Sequence, residues 1–432
     1  MADTIFARAS GPGRAGVAVI RISGTAAFSA GRALAGGLPD PRTAALRVLR
    51  HPTRGDVLDE AVVIAFPGPG SFTGEDSVEL QVHGSVAVVA SVSSALAGIP
   101  GLRRAEPGEF TRRALANGRL DLAQVEALGD LIAAETAAQQ RQALAALRGR
   151  VGRLVEAWKP ALLRALALVE ASIDFADDDL PPDVLVAVRA ELAVLVAEMK
   201  RELGGSRVAE RLRSGFEVAI VGPPNVGKST LFNALAGREA ALVSAAPGTT
   251  RDVIEVRLDL EGLPLTVLDT AGIRDAAGEI EALGIERARA RAEAADVRIF
   301  LVGSAAEVDA LDVPSQPGDL VIRGKADLDP DAGGVSGLTG QGIESMLAEV
   351  ATVLGARMAG ASSLGHARQR EAVTRTLDAI EVALEELGGL APRIELVAED
   401  LRTAVRALDF LVGRVDVEAI LDVVFGTFCL GK

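Results

Sequence analysis

Gly222-Pro-Pro-Asn-Val-Gly227-Lys228-Ser229 decides how the rest of this chain is read. The eight residues fit G-x-x-x-x-G-K-[ST] without a mismatch, after the apolar run Val218–Val221 and before the helix-compatible run Thr230–Leu235. A strand that enters a glycine loop and leaves it as a helix aims successive backbone N–H groups at a phosphate chain. Lys228 then reaches the β/γ oxygens, and the Ser229 hydroxyl ligates Mg²⁺. The bland alternative is a glycine turn in which a lysine happens to fall, and the flanking residues speak against it.

Strand-like runs surround the loop at Glu217–Val221, Val253–Leu260, Leu265–Leu268, Val297–Val302 and Leu320–Ile322, with helical stretches between them. That alternation over 215–357 predicts an α/β domain with a mainly parallel sheet. Asp269-Thr-Ala-Gly272 closes one strand, placing a carboxylate to hold Mg²⁺ through water and the Gly272 N–H to sense a γ-phosphate. Thr249 and Thr250 precede it on a loop where a hydroxyl can complete the Mg²⁺ shell. Gly324-Lys325-Ala-Asp327 follows the Leu320–Ile322 strand. Lys325 would lay its alkyl stem along a purine face, and Asp327 would accept from guanine's ring N–H and amino group. Adenine offers an acceptor where guanine has its N–H, leaving a buried carboxylate unsatisfied. The nucleotide read from these residues is GTP.

Farther out, Leu120 to about Leu203 and about His366 to Phe428 carry Ala/Leu/Glu/Arg patterns with helical spacing, and Gly204-Gly205-Ser206 is expected to end the first block. The simplest topology is a helical domain interrupted by an inserted α/β domain. Residues 1–117 read as mixed α/β, with strands at Val17–Ile22, Ala61–Phe66 and Ser77–Val82 and turn material at 67–70 and 72–76.

The 432 residues suffice for about three domains. One cysteine, Cys429, rules out a disulfide scaffold and any Cys-rich metal site, and three scattered histidines leave no His-rich tract. His83, in Val-His-Gly, is given no role. No cationic leader with an apolar stretch begins the chain, and no run of about 18 apolar residues occurs, so a soluble, cytoplasmic protein without membrane association is expected. Charge is uneven: residues 1–118 hold 12 basic against 10 acidic side chains, and residues 119–432 hold 33 against 49. So acidic a body repels a phosphate backbone, so any nucleic-acid substrate would need a partner's basic surface. Against 40 arginines there are five lysines, Lys159, Lys200, Lys228, Lys325 and Lys432, three of them inside motifs.

The resemblance becomes specific with Asn225 in the loop, Gly-Thr-Thr-Arg-Asp at 248–252 and Asp-Thr-Ala-Gly-Ile-Arg at 269–274. Ser71-Phe-Thr-Gly-Glu-Asp, Pro107-Gly-Glu-Phe, Leu120-Asp-Leu-Ala-Gln and the ending Cys429-Leu-Gly-Lys432 extend it over essentially the whole length. The chain resembles the MnmE (TrmE) family of tRNA modification GTPases. This resemblance implies a multidomain α/β plus α fold: a mixed α/β folate-binding-like and dimerisation domain at 1–118, the helical domain at 119–212 and 359–432, and an inserted Ras-like P-loop GTPase domain at 213–358.

The resemblance also implies a GTPase activated by K⁺ between paired G domains. Asn225, Ser244, Ala246 and Thr249 match the K⁺ contacts, and Ser229 and Thr250 match the Mg²⁺ ligands. A K⁺ beside the phosphates would do an arginine finger's electrostatic work. Glu281 matches the residue that orients the attacking water, with Lys228 as the other catalytic group. GTP contacts are implied for Asn225, Val226, Gly227, Lys228, Ser229 and Thr230, for Ser244, Ala245, Ala246, Pro247, Gly248, Thr249 and Thr250, for Asp269, Thr270, Ala271 and Gly272, and for Lys325, Asp327, Ser336 and Gly337. Arg21, Glu79, Arg119 and Lys432 match the contacts to 5,10-methylene- or 5-formyl-tetrahydrofolate, and Cys429 is a candidate for a role in the modification. On residue type alone, Cys429 reads equally as a buried structural thiol. The implied partners are a second copy of the chain, the FAD-carrying flavoprotein MnmG (GidA) in a heterotetramer, and tRNA bound through that complex. The implied modification is of the carboxymethylaminomethyl type at the wobble uridine of certain tRNAs. Three positions depart from the family pattern: Gly324 stands for an asparagine, Ser336-Gly337 for Ser-Ala, and Arg119 where lysine also occurs. Losing one polar contact at Gly324 should weaken nucleotide binding by about 0.5–1.5 kcal/mol, so Gly324→Asn is expected to tighten it. Two rivals remain open: a regulatory GTPase acting in ribosome assembly, and a folate-dependent one-carbon transferase acting on a small molecule.

Overall fold

The computed structural model describes residues 3–174, 184–238, 241, 255–269, 289–311, 313–358, 360–413 and 431. The chain divides into two compact units, Met1–Gly129 with Asp409–Lys432, and Asp130–Leu408.

In the first unit, six strands form one sheet: β1 (Thr4–Arg8), β2 (Ala15–Ser23), β3 (Ala45–Arg50), β4 (Val57–Phe66), β5 (Ser77–Gly84) and β6 (Leu102–Arg104), in the order β3-β4-β5-β2-β1-β6. All neighbours pair antiparallel except β1 with β6. Alternation sorts the side chains. Ala18, Ile20 and Ile22 on β2, Val78, Leu80 and Val82 on β5, and Ala61 and Val63 on β4 are buried in one core with Leu34 of α1 (Ala27–Ala35) and Val92 and Leu96 of α2 (Val86–Ala97). A period of two then places Arg21 and Glu79 on the opposite face, directly across from each other in register. The helix α3 (Glu109–Ala116) follows β6, and Phe110 is buried with Ile5 and Ala105.

In the second unit, β7 (Phe216–Val221), β8 (Glu255–Leu260), β9 (Leu263–Asp269), β10 (Val297–Val302) and β11 (Leu320–Arg323) form a sheet ordered β11-β10-β7-β9-β8. It is parallel except for β8, which pairs antiparallel with β9 through a tight hairpin. The central strands β7 and β10 are buried along almost their whole length, whereas β8 at the edge alternates buried with exposed positions. Val218, Ile220, Val267, Ile299 and Leu301 face Leu231, Phe232 and Leu235 of α8 (Lys228–Ala236) and Val350 and Leu354 of a later helix, Ile343–Met358. Ala219, Val221 and Phe300 face Ala292 and Ala295.

The helices before the sheet are α4 (Leu122–Ala133), α5 (Ala137–Leu147), α6 (Arg150–Asp174) and α7 (Val184–Ser214); after it come α9 (Ile343–Met358), α10 (Ala367–Leu387) and α11 (Ile394–Val412). On α6, Val151, Val155, Trp158, Leu162, Ala165 and Val169 are buried at alternating spacings of four and three, the stripe a helix needs to pack along its length. α7 packs against both α6 and α10.

The structure corrects one boundary. Gly204-Gly205-Ser206 does not end the helix, since α7 runs unbroken to Ser214. Glycine serves close approach there: a Cβ on Gly205 would overlap the Gly360 carbonyl, and Ser362 donates its N–H to the Gly205 carbonyl at 3.2 Å. Ser206 satisfies its hydroxyl on Leu203 O at 2.7 Å within the helix.

Candidate functional site

The glycine loop leaves β7 at Gly222, where the chain passes so close to β10 that a Cβ would overlap the Leu301 carbonyl. Asn225 (φ 59°) and Gly227 (φ 110°) take left-handed conformations, and Gly227 caps α8. Such turns make consecutive N–H groups converge, which is how a loop becomes an anion cradle. Lys228 Nζ donates to the carbonyls of Gly222 and Pro223, 2.9 Å each, so the ammonium arches over the loop. Ser229 and Thr230 are exposed on the first turn of α8. Asp269 ends β9 in register with Ile220, which sets its carboxylate level with the start of the loop.

Two further loops close on this one. Gly324 donates to Val302 O at 2.9 Å, and a Cβ on it would sit 2.5 Å from the Val226 carbonyl. Lys325 (φ 58°) follows, its Cγ 3.8 Å from where a Cβ on Gly227 would lie. The Asp327 Oδ1 accepts from the buried Ser336 hydroxyl at 2.5 Å. That hydroxyl in turn accepts from the N–H groups of Leu338 and Thr339 at 3.2 and 3.3 Å, which fixes the loop holding the carboxylate. The Ser336 N–H is committed to Gln341 O at 3.0 Å. A Cβ on Gly337 would overlap the backbone of Thr230 and Leu231.

These contacts overturn the expectation for Gly324→Asn. Both departures, Gly324 and Gly337, lie where one backbone touches another, on the phosphate loop and on α8 respectively. The larger residue would have to displace main chain before its amide could bond anything. The structure thus brings Asn225, Val226, Gly227, Lys228, Ser229, Thr230, Asp269, Lys325, Asp327, Ser336 and Gly337 onto one edge of the sheet and its loops. Ser244, Ala245, Ala246, Pro247, Gly248, Thr249, Thr250, Thr270, Ala271, Gly272, Glu281, Cys429 and Lys432 lie outside the described residues.

A second polar site lies in the first unit. Arg21 and Glu79 form an ion pair at 3.0 Å, each side chain about 20% exposed. Above Arg21 lie two aromatic rings, Phe72 at 5.1 Å and Phe110 at 5.6 Å. The loop carrying Phe72 is held by Asn117, whose side-chain amide donates to Thr73 O at 2.7 Å, and a Cβ on Gly74 would sit 3.2 Å from Arg119 Cγ. Arg21, Glu79 and Arg119 therefore flank one loop. Phe72 and Phe110 each sit inside a motif, Ser71-Phe-Thr-Gly and Pro107-Gly-Glu-Phe, whose nearness to Arg21 the spacing along the chain does not reveal.

Beneath that loop, Arg113 is 1% exposed and reaches three carboxylates, Asp3 at 3.0 Å, Glu75 at 3.1 Å and Glu109 at 3.2 Å. Burial alone would raise the Glu109 carboxyl, but Arg103, the Glu106 N–H and Arg113 hold it below its usual range. The Arg103 hydrogen bond likewise lowers Asp3. The His83 ring bonds Asp59 at 2.8 Å. Gly431 (φ 98°) is buried against β1, where a Cβ would overlap Arg8 O. Among the described residues no helix is long and apolar enough to cross a membrane, and no group of three His, Cys, Asp or Glu could hold a metal by itself.

Comparison with known proteins agrees with this arrangement. A family model for the MnmE helical domain matches residues 122–429, and one for the GTP-binding protein TrmE N-terminus matches residues 4–119. The chain is 55% identical to the tRNA modification GTPase MnmE of Cereibacter sphaeroides over 431 residues, covering 100% of both chains. It is 52% identical to that of Dinoroseobacter shibae over 432 residues and 50% identical to that of Parvibaculum lavamentivorans over 439, again covering 100% of each chain. With a complete phosphate loop and full-length relatives at this identity, the chain belongs to the MnmE (TrmE) family of tRNA modification GTPases.

Proposed function

We propose that this chain hydrolyses GTP and couples that hydrolysis to modification of the wobble uridine of certain tRNAs. The observation that carries the proposal is a phosphate loop bearing Lys228 and Ser229, against which the Gly324–Asp327 loop rests and with whose start Asp269 is level, within a chain alignable end to end with tRNA modification GTPases. Lys228 and the loop N–H groups hold the β- and γ-phosphates, and Asp327, braced by Ser336, accepts from guanine. Ser229 and Asp269 offer hard oxygen donors at the ends of adjacent elements, a set that suits Mg²⁺ directly and through water. Mg²⁺ there neutralises charge on the transferring phosphoryl group. Asn225 is exposed on the rim of the loop; with Ser244, Ala246 and Thr249 it would hold a K⁺ that offsets charge on the phosphates, and Glu281 would orient the attacking water. Two such domains, one from each copy of a homodimer, would enclose that ion.

In the first unit, the exposed ring of Phe72 beside the Arg21–Glu79 pair suits a planar heterocycle with an anionic tail, which supports a tetrahydrofolate site with Arg119 and Lys432. The bound folate supplies a one-carbon unit. Glu79 would turn a carboxylate oxygen to the pterin donors, and the arginines would hold the tail. A flavoprotein partner, MnmG, supplies FAD and most of the tRNA contact, consistent with the acidic body of this chain.

Nucleoside analysis of bulk tRNA from cells with and without the chain tests the reading, with loss of the carboxymethylaminomethyl group expected on deletion. Unchanged tRNA with intact GTP turnover would favour a regulatory GTPase instead. Hydrolysis should be faster in K⁺ than in Na⁺, and Asn225→Ala should remove the difference. Equal rates in both salts would exclude the potassium mechanism.

A further inference from the structure

We propose that Arg291 is a positioning residue for GTP hydrolysis, one guanidinium that ties together the chain leaving both motif segments and links them to α7. The proposal rests on the reading of this chain as a GTPase. Glu255, the first residue of β8, lies five positions after Thr250, and Arg291, in the helical stretch 289–294, lies ten after Glu281. These two residues meet: Arg291 Nη1 donates to Glu255 Oε1 at 2.5 Å. The same guanidinium donates from Nη2 and Nε to Glu217 Oε1 at 2.9 and 3.3 Å.

Glu217 is the second residue of β7, the strand that delivers the phosphate loop. Its other carboxylate oxygen lies 3.5 Å from Arg211 Nη1 near the end of α7, and Arg211 Nε reaches Asp296 at 3.1 Å. Glu217 and Asp296 are also joined through the main chain, Asp296 N to Glu217 O and Glu217 N to the Asp296 carboxylate, 2.8 Å each. Arg357 of α9 donates to the Asp296 carbonyl. Thus the residue following the threonine segment, the residue following the Asp269 segment, the base of the phosphate strand and the end of α7 converge on one guanidinium and one carboxylate.

The chemistry selects arginine. A planar fork can bond two carboxylates in different directions while staying charged, whereas an ammonium on a flexible stem holds only one firmly. Burial works against the charge on Arg291, yet bonding to Glu217 and Glu255 raises its pKa overall. The hydrogen bonds and ion pairs of these side chains run to one another, to α7 and to α9. Loss of the tie should leave nucleotide binding intact and free Glu255 of β8 and the helical stretch 289–294 from the base of β7, which lowers turnover without lowering affinity.

The test uses the full-length chain in K⁺ buffer, measuring kcat and KM for GTP, Kd for a fluorescent GDP analogue, and the thermal midpoint. Arg291→Ala should lower kcat at least tenfold with KM and Kd within about twofold. Arg291→Lys should fall between the two, and Glu255→Gln, which leaves Arg291 and Glu217 in place, should show the same split more weakly. Arg291→Ala combined with Glu255→Gln should cost no more than Arg291→Ala alone, because both remove one interaction. An unchanged kcat, additive losses, or a kcat that falls only together with Kd and the thermal midpoint would overturn the positioning role. A wild-type chain that turns over no GTP would instead overturn the GTPase reading beneath it.

Discussion

Asp327 shows how much one carboxylate can encode. Its type, two residues beyond Lys325, is what points to guanine in the sequence, yet its orientation depends on Ser336, nine residues later, and on the turn that Ser336 caps. Gly324 teaches the opposite lesson. In the sequence it is a missing asparagine, a lost contact that mutation should restore. In the structure it is the point where this loop rests on the Val226 carbonyl, which a Cβ would crowd to 2.5 Å. Forcing a side chain into such a contact costs about 1–3 kcal/mol. Gly324→Asn and Gly324→Ala are therefore expected to raise the Kd for GTP by roughly 5- to 150-fold. Isothermal titration with a non-hydrolysable GTP analogue checks this, and a tighter Kd for Gly324→Asn would show that the loops part easily.

Among the elements, α7 carries the clearest consequence of packing over propensity. Two adjacent glycines in a helix interior each cost about 1 kcal/mol relative to alanine, which is why they read as a break. The helix survives because its flanks pack against α6 and α10 and because one glycine is needed for contact. The two positions should separate cleanly on mutation. Gly204 is exposed with nothing near a Cβ, so Gly204→Ala should stabilise by up to about 1 kcal/mol. Gly205→Ala should destabilise despite the same gain in propensity, because its Cβ would overlap the Gly360 carbonyl. Thermal midpoints of the two variants decide it, and a shift of the same sign in both would refute the packing argument.

At the scale of the whole molecule, the first unit hangs on carboxylates. Asp3 and Glu109 have pKa values held below their usual range by arginine partners. Their stabilising contribution is thus complete above the ordinary carboxylate range and is lost as pH falls through the lowered values. Stability of the first unit should drop as pH falls below about 4, and Glu109→Gln should flatten that dependence. Chemical denaturation followed from pH 7 downward measures both. The chain's end offers a further test. Gly431 lies against β1 of the first unit, while the phosphate loop and Asp327 belong to the second. Deleting residues 429–432 is accordingly expected to leave GTP hydrolysis nearly intact and to abolish the tRNA modification. Normal modification by the truncated chain would remove the C-terminus from the proposed chemistry.

By itself the sequence determined the parts whose information is local. The strand–loop–helix around Gly222–Ser229 and the strands on either side of it each depend on near neighbours, so composition and spacing carry them. Tertiary structure alone decided what depends on residues distant in the chain. It joined Arg21 to Glu79 beneath Phe72 and Phe110, gathered Asp3, Glu75 and Glu109 around a buried Arg113, and turned Gly205, Gly324 and Gly337 from apparent gaps into contacts. It also brought Arg291 to Glu217 and Glu255, 74 and 36 positions away. The physical reason is that a glycine's meaning and a charge's partner are set by what lies across the gap, and nothing in the spacing along one chain records which strand or helix that will be.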